Sequence, residues 1–300
     1  MLLLLAVSVL VLTVGGCTST GSVVVNSANQ NSRVTVVVIH HTSADFQESL
    51  DMLTLPSHRP VSSHYLVPEP DDPSYTDKRL KLHTLVPEGQ RAWHAGVSDW
   101  AGRSVLNDMS IGIELVNRTW CHAQAENVTA EDQEQRDSIC FYPDYAISQI
   151  DMLLDLLGDI LERHPDIKPT NIVGHADVAP QRKIDPGPRF PWQRLYRLGF
   201  GAWYDDETVV RYWERFNSEM PSVLQLQHAL HTYGYEIVLS GDSDTQSRNV
   251  VRAFQMHFVP WRVTGTFDAG SAAALFALIE KYRSSHLERL LQNGAQPVHE

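Results

Sequence analysis

The sequence is poor in cysteine, poor in positive charge, and has no apolar run long enough to cross a bilayer. It holds three cysteines, Cys17, Cys121 and Cys140, and no Cys-x-x-Cys pair, which excludes a structural zinc ribbon. Its 24 Lys and Arg stand against 36 Asp and Glu, a net charge of −12. Nucleic-acid binding needs a basic face, so that class of partner is excluded. A polymer read in a local pocket is not. The apolar stretch from Met1 to Gly16 falls short of the ~20 residues of a spanning helix, and no Lys or Arg precedes it. The chain does have length and hydrophobic content. Its 300 residues are 43% hydrophobic, enough for one sizeable core and a second small domain.

Residues 1–16 fit the apolar region of a secretory signal. Gly15 and Gly16 precede Cys17, and Thr18-Ser19-Thr20-Gly21-Ser22 follow it. This resembles a bacterial lipoprotein signal, in which Cys17 becomes the lipid-bearing N-terminus. Two features depart from that pattern: Val14 stands where leucine is usual, and the charge ahead of the run is missing, as it is when the start lies further upstream. An ordinary cleaved signal is the alternative. Residues 17–32, mostly Ser, Thr, Asn, Gln and Gly, have little to bury and read as a tether. With Cys17 taken by lipid, Cys121 and Cys140 remain. Export favours a disulfide between them, against two free thiols.

Periodicity lays out the rest. Residues 34–39 form an apolar strand that runs into His40 and His41. A helix capped by Ser43 extends to about Leu55, with Phe46, Leu50 and Leu53 on one face. Strands are expected at 61–67, 81–86 and 110–117. In the last, Ile111, Ile113 and Leu115 face one way, and Gly112, Glu114 and Val116 the other. A carboxylate in mid-strand is costly to bury; it is either salt-bridged structure or a general base. Residues 118–143 are an acidic insertion. Residues 145–163 form an amphipathic helix with Ile147, Ile150, Leu154, Leu157 and Leu161 as its core stripe. A short strand ending at Gly174 leads into His175-Ala-Asp-Val-Ala-Pro-Gln-Arg-Lys-Ile-Asp-Pro-Gly-Pro188, whose prolines and glycine keep it out of regular structure. Two strand-end histidines and one carboxylate, with water in the fourth position, make a catalytic zinc site. His40 or His41, His175 and Asp185 are the candidates. Neighbours on a strand point to opposite faces, so one of the first two is a ligand and not both. Taken singly, each is equally a core histidine or a turn-capping aspartate.

Five ordered pieces carry a resemblance: Ile39-His40-His41-Thr42, Ser62-Ser63-His64-Tyr65, Ala92-Trp93-His94-Ala95-Gly96, residues 107–114 (Asn-Asp-Met-Ser-Ile-Gly-Ile-Glu), and residues 175–188. Over about 33–203 the chain resembles the zinc-dependent N-acetylmuramoyl-L-alanine amidases related to peptidoglycan recognition proteins and phage amidase-type lysozymes. The resemblance implies an α/β fold, a mixed central sheet flanked by helices. It implies one Zn2+ held by His40, His175 and Asp185, with Glu114 moving the proton and Lys183 steadying charge on the carbonyl oxygen. His64, His94 and Trp93 become candidates for the substrate groove or for support behind the ligands, and Trp192 for the groove. Core packing is an equal reading of the aromatics. Asp177 and Asp108 read as turn or supporting residues.

After residue 203 the texture is helical. Residues 204–222 read as a connector, 223–285 as a small three-helix domain and 286–300 as a tail. Leu226-Gln227-His228-Ala229-Leu230, Val251-Arg252-Ala253-Phe254-Gln255 and Thr264-Gly265-Thr266-Phe267-Asp268 resemble a peptidoglycan-binding module; the alternative is a packing subdomain without a ligand. The expectation is a monomeric hydrolase of the lactyl–L-alanine amide in peptidoglycan or muropeptides. Lipid at Cys17 would hold it on the outer membrane, facing the periplasm. A non-catalytic peptidoglycan-binding protein is the alternative, and a metallopeptidase cutting within the stem a third.

Overall fold

The computed structural model describes residues 23–121 and 140–292. The chain divides into two units, Met1–Asn31 and Ser32–Glu300. In the first, residues 23–31 are exposed and form neither helix nor strand. The expected signal and the lipid site at Cys17 lie outside the described residues.

In chain order the second unit holds β1 (Val36–His41), α1 (Phe46–Thr54), β2 (Tyr65–Val67), β3 (His83–Thr84), β4 (Asp99–Trp100), β5 (Arg103–Ser104), β6 (Ser110–Leu115), β7 (Trp120–Cys121) and β8 (Cys140–Phe141). Then come α2 (Ile147–Arg163), β9 (Ile172–Gly174), α3 (His175–Val178), α4 (Trp192–Arg197), α5 (Asp206–Ser218), α6 (Val223–Tyr233), α7 (Thr245–Phe258), α8 (Ala269–Tyr282) and α9 (Ser284–Gln292). The main sheet has the order β3-β2-β6-β1-β9. β1 runs parallel to β6 and β9, β2 parallel to β6, and β3 antiparallel to β2, so the sheet is mixed.

β1 is buried along its whole length, as an apolar central strand must be when both faces are covered. α2 presses Ile150, Leu153, Leu157 and Ile160 into the main core, and a smaller cluster of Phe46, Leu53, Leu66, Tyr75 and Val116 sits with α1. His40 and His41 close β1, Glu114 is next to last in β6, and His175 follows β9 directly. The carboxyl ends of parallel strands are where open α/β sheets take ligands; His40, Glu114 and His175 fall there, and Lys183 and Asp185 lie on the loop that follows α3.

The structure corrects several local expectations. Asp45, not Ser43, caps α1, its carboxylate accepting from the Glu48 amide; Ser43 sits in the left-handed region at φ 56°. Strands at 61–67 and 81–86 shrink to three and two residues, β3 at the sheet edge and β2 beside it. In α2 the stripe is shifted: Ile147 is 69% exposed, and Gln149, Leu153, Leu156 and Ile160 are buried with Ile150 and Leu157. Gln149 is inside because its amide donates to the carbonyls of Val67 and Val116 at 3.3 and 2.9 Å. Residues 175–178, expected in a loop, form one helical turn. Cys121 and Cys140 are joined by a disulfide that closes β7 on β8; the insertion between them lies outside the described residues. The connector, expected to be helical, contains α5, whose Tyr212 and Phe216 pack tilted and edge-on against Phe276 of α8. α6, α7 and α8 fall where periodicity puts them, around Leu230, Phe254, Phe258 and Phe276.

Candidate active site

The register of the sheet brings the site together. His40 pairs with Glu114 across β1 and β6, and Ile39 with Gly174 across β1 and β9. Paired residues in adjacent strands present their side chains to the same face, so His40 and Glu114 share a face, and His175 emerges one step beyond Gly174. His41, next along the strand, also borders the cavity, but the clustered ligand atoms are those of His40, His175 and Asp185. The loop after α3 returns so that the Ala176 amide donates to the Asp185 carbonyl at 2.8 Å.

The result is a cluster of three buried atoms. His40 Nδ1 lies 2.9 Å from His175 Nδ1 and 3.2 Å from Asp185 Oδ2, and His175 Nδ1 lies 3.1 Å from the same oxygen. Ligand atoms on a tetrahedral zinc stand about 3.3 Å apart, given bonds of about 2.0–2.1 Å. Proton positions follow from the surroundings. Ser110 Oγ donates to the Leu106 carbonyl at 2.6 Å, so it accepts from His94 Nε2 at 3.1 Å. His94 Nδ1 therefore accepts from His40 Nε2 at 2.9 Å, which leaves His40 Nδ1 a bare lone pair. His175 Nε2 lies 3.2 Å from the Ala95 carbonyl and donates to it, so its Nδ1 is bare as well. Two lone pairs and a carboxylate oxygen converging inside the protein repel one another unless a cation lies among them. The donor set fits zinc: two neutral imidazoles and one carboxylate, each oriented from behind.

Burial, the neighbouring His175 and Lys183 lower the His40 pKa to about 4, against the pull of Asp185. Burial pushes the Asp185 carboxyl up, but His175 and His40 hold it well below the usual range. Glu114 goes the other way. Burial, then the charge of Asp185, raise it to about 8, with Lys183 opposing. Its Oε2 is buried without a hydrogen-bond partner. An acceptor left bare in a cavity wall is poised for something that enters the cavity. That cavity, of about 410 Å³, is lined by His40, His94, Glu114, His175, Lys183 and Asp185, with Met52, Leu53 and Val61 as an apolar wall.

The other candidates separate. His94 lines the cavity and backs His40. Its ring lies over Gly112, where a Cβ would stand 2.4 Å from His94 Cγ, so only glycine fits there. His64 is not in the groove; its Nδ1 accepts from the Gly112 amide at 3.0 Å, deep in the sheet. Trp93 is 51% exposed and outside the cavity wall, and Trp192 is buried against His257. Asp108 pairs with Arg91 at the surface, at 3.0 Å. Two residues escaped the sequence reading. Ser110 ends the relay behind His40. Arg182 lines the cavity and ties its guanidinium to the carbonyls of Ala95 and Val97. Arg182 stands beside Lys183, but nothing in a single sequence says that its protons go to a distant loop.

The family model for N-acetylmuramoyl-L-alanine amidase matches residues 30–188. The chain belongs to that family. The amidase is 43% identical over 251 residues to N-acetylmuramoyl-L-alanine amidase AmiD of Escherichia coli strain K12, covering 83% of this chain and 84% of that one. Its fold is similar to that of AmpDH3 from Pseudomonas aeruginosa, with a TM-score of 0.77, 43% identity, and coverage of 87% and 96% of the two chains. It also resembles the solved structure of E. coli AmiD in complex with the substrate anhydro-N-acetylmuramic acid-L-Ala-D-gamma-Glu-L-Lys, with a TM-score of 0.71, 40% identity, and coverage of 86% and 93%. A peptidoglycan binding domain model matches residues 219–275. The amidase is thus a hydrolase of the amide between N-acetylmuramic acid and L-alanine.

Proposed function

We propose that this hydrolysis runs at the His40–His175–Asp185 centre with zinc as the metal, on peptidoglycan or its muropeptides, from a lipid anchor at Cys17 on the periplasmic face of the outer membrane. The observation that carries the reading is the convergence of three proton-free donor atoms beside the unpartnered Glu114. Zinc bound there supplies Lewis acidity, polarising the scissile carbonyl and bringing the pKa of a water toward neutrality. The protein's own groups do the rest. Glu114 accepts a proton from water and hands it to the leaving amine of L-alanine. Lys183, on the same wall, stabilises negative charge developing on the carbonyl oxygen. His94 and Ser110 keep His40 in the tautomer that presents Nδ1. The apolar wall of Met52, Leu53 and Val61 displaces water from one side of the bond.

The test is mass spectrometry of purified sacculi digested by the soluble protein beginning after Cys17. Free stem peptides starting with L-alanine should appear, vanish with a chelator and return with zinc. Release that ignores chelation sinks the metal reading. Binding to sacculi without release makes this a recognition protein, and cuts between stem amino acids make it a peptidase. For the anchor, labelled palmitate should enter the wild type and not Cys17→Ala; equal labelling of both rejects it.

A further inference from the structure

The segment from His175 to Asp185 is held from behind by the C-terminal helices. Asp177 is 2% exposed. Its Oδ2 accepts from the Gly174 amide at 2.7 Å and from His257 Nδ1 at 2.7 Å, and its Oδ1 accepts from the Tyr235 hydroxyl at 2.6 Å. The His257 ring lies flat on Trp192, with centroids 3.8 Å apart and planes at 13°. Four residues further on, Gln181 donates to the Gln246 carbonyl at 3.1 Å and accepts from the Asn249 amide at 2.8 Å. Asp177 and Gln181 belong to the amidase stretch, whereas Tyr235, Gln246, Asn249 and His257 belong to the stretch matched as a peptidoglycan binding domain.

A module whose only task is to hold the wall has no need to bury polar side chains against the catalytic segment. A buried carboxylate is tolerated only when its oxygens are satisfied, and here the C-terminal module supplies two of the three donors. We propose that this module is a positioning part of the metal centre. Tyr235 and His257 fix Asp177. Asp177 fixes the Gly174 amide where β9 passes into the turn that bears His175. Gln181 pins the same segment ahead of Lys183 and Asp185. The inference rests on the zinc reading above, and it assigns His257 and Tyr235 as positioning residues, neither of which touches the cavity.

The test uses the full chain and three variants. Tyr235→Phe and His257→Phe keep a ring and delete a hydrogen bond to Asp177, while His257→Asn places an amide N–H where Nδ1 stood. Zinc affinity is read by competition with a chromogenic chelator, and amide hydrogen exchange at residues 174–178 is read in the metal-free protein. Groups bonded directly to metal ligands typically change affinity by roughly 10- to 100-fold, and Tyr235 and His257, acting through Asp177, belong at the lower end of that range. Both Phe variants should therefore bind zinc roughly ten-fold or more weakly and exchange faster at 174–178, and His257→Asn should recover most of the loss. Affinities within two-fold of wild type in both Phe variants overturn the proposal, as does a loss that His257→Asn fails to rescue. Should His257→Phe not fold, Tyr235→Phe, which removes a single hydroxyl, decides by the same criterion. A wild type that binds no zinc overturns the zinc reading instead. Exchange then decides the brace, unchanged rates rejecting it and faster rates upholding it.

Discussion

Glu114 is a side chain that the fold holds at a cost. It stands among buried apolar strands with one oxygen bare. Unfolded, its carboxyl titrates near its ordinary 4.5; folded, near 8. Between those values the native state holds more protons than the unfolded chain, so the stability of the metal-free protein falls as pH rises from 4.5 to 8 and then levels off. Glu114→Gln lacks that fall. Without metal it should melt above wild type at pH 8, by on the order of a few kcal/mol at most, and level with it near pH 4.5. With zinc supplied it should lose about 100- to 10,000-fold in turnover while binding the metal as wild type does. Calorimetry with chelator and a turnover assay with zinc make the pair of measurements. A variant that is both inactive and no more stable at pH 8 would mean that Glu114 is structural.

At the scale of elements, the hairpin β7–β8 and the loop after Asp185 are one assembly. Tyr142 follows β8 directly, and its ring lies where a Cβ on Gly187 would come within 2.5 Å, at a φ of +80°. Two residues past Asp185, the loop is thus shaped around the base of the insertion, and Tyr145 adds a hydrogen bond to the Pro186 carbonyl at 2.8 Å. Closing a loop of this size contributes roughly 3 kcal/mol by the chain-entropy estimate. The Cys121→Ser/Cys140→Ser double variant should accordingly melt lower by about 6–12 °C, at roughly 2–4 °C per kcal/mol for a domain of about 150–250 residues. Scanning calorimetry would show it, and an unchanged melting point would mean that the hairpin opens independently of the core. The uneven legibility of the sequence has the same physical root. β1 is legible as a continuous apolar run, and β6, α7 and α8 because each repeats apolar residues with its own period over six residues or more. β2 and β3 are too short for a period, and Ile147 extends the apolar pattern of α2 beyond its buried face. His40, Glu114, His175, Lys183 and Asp185 were found through motifs that combine strand ends with chemistry. Ser110, Arg182, Tyr235 and His257 were not, since each acts through a partner far away in the chain, and no spacing encodes that.

For the molecule as a whole, the balance of −12 sets how it meets its substrate. Peptidoglycan stems carry free carboxylates, so an acidic protein and the wall repel one another at long range. The lipid anchor proposed at Cys17 would offset that repulsion. Held at a membrane as proposed, the enzyme would meet its substrate at the high effective concentration that linkage confers, and weak intrinsic affinity would suffice. The repulsion should show once the tether is gone. Screening shortens the reach of surface charge from about 30 Å at 0.01 M salt to about 8 Å at 0.15 M. The soluble protein should therefore act several-fold faster on sacculi at the higher salt, while its turnover of a small uncharged muramoyl-alanine amide stays level. Sedimentation with sacculi across the same range should report rising binding. Activity and binding that fall as salt rises would reveal a basic surface that reads the wall directly, and the anchor would then serve location rather than affinity.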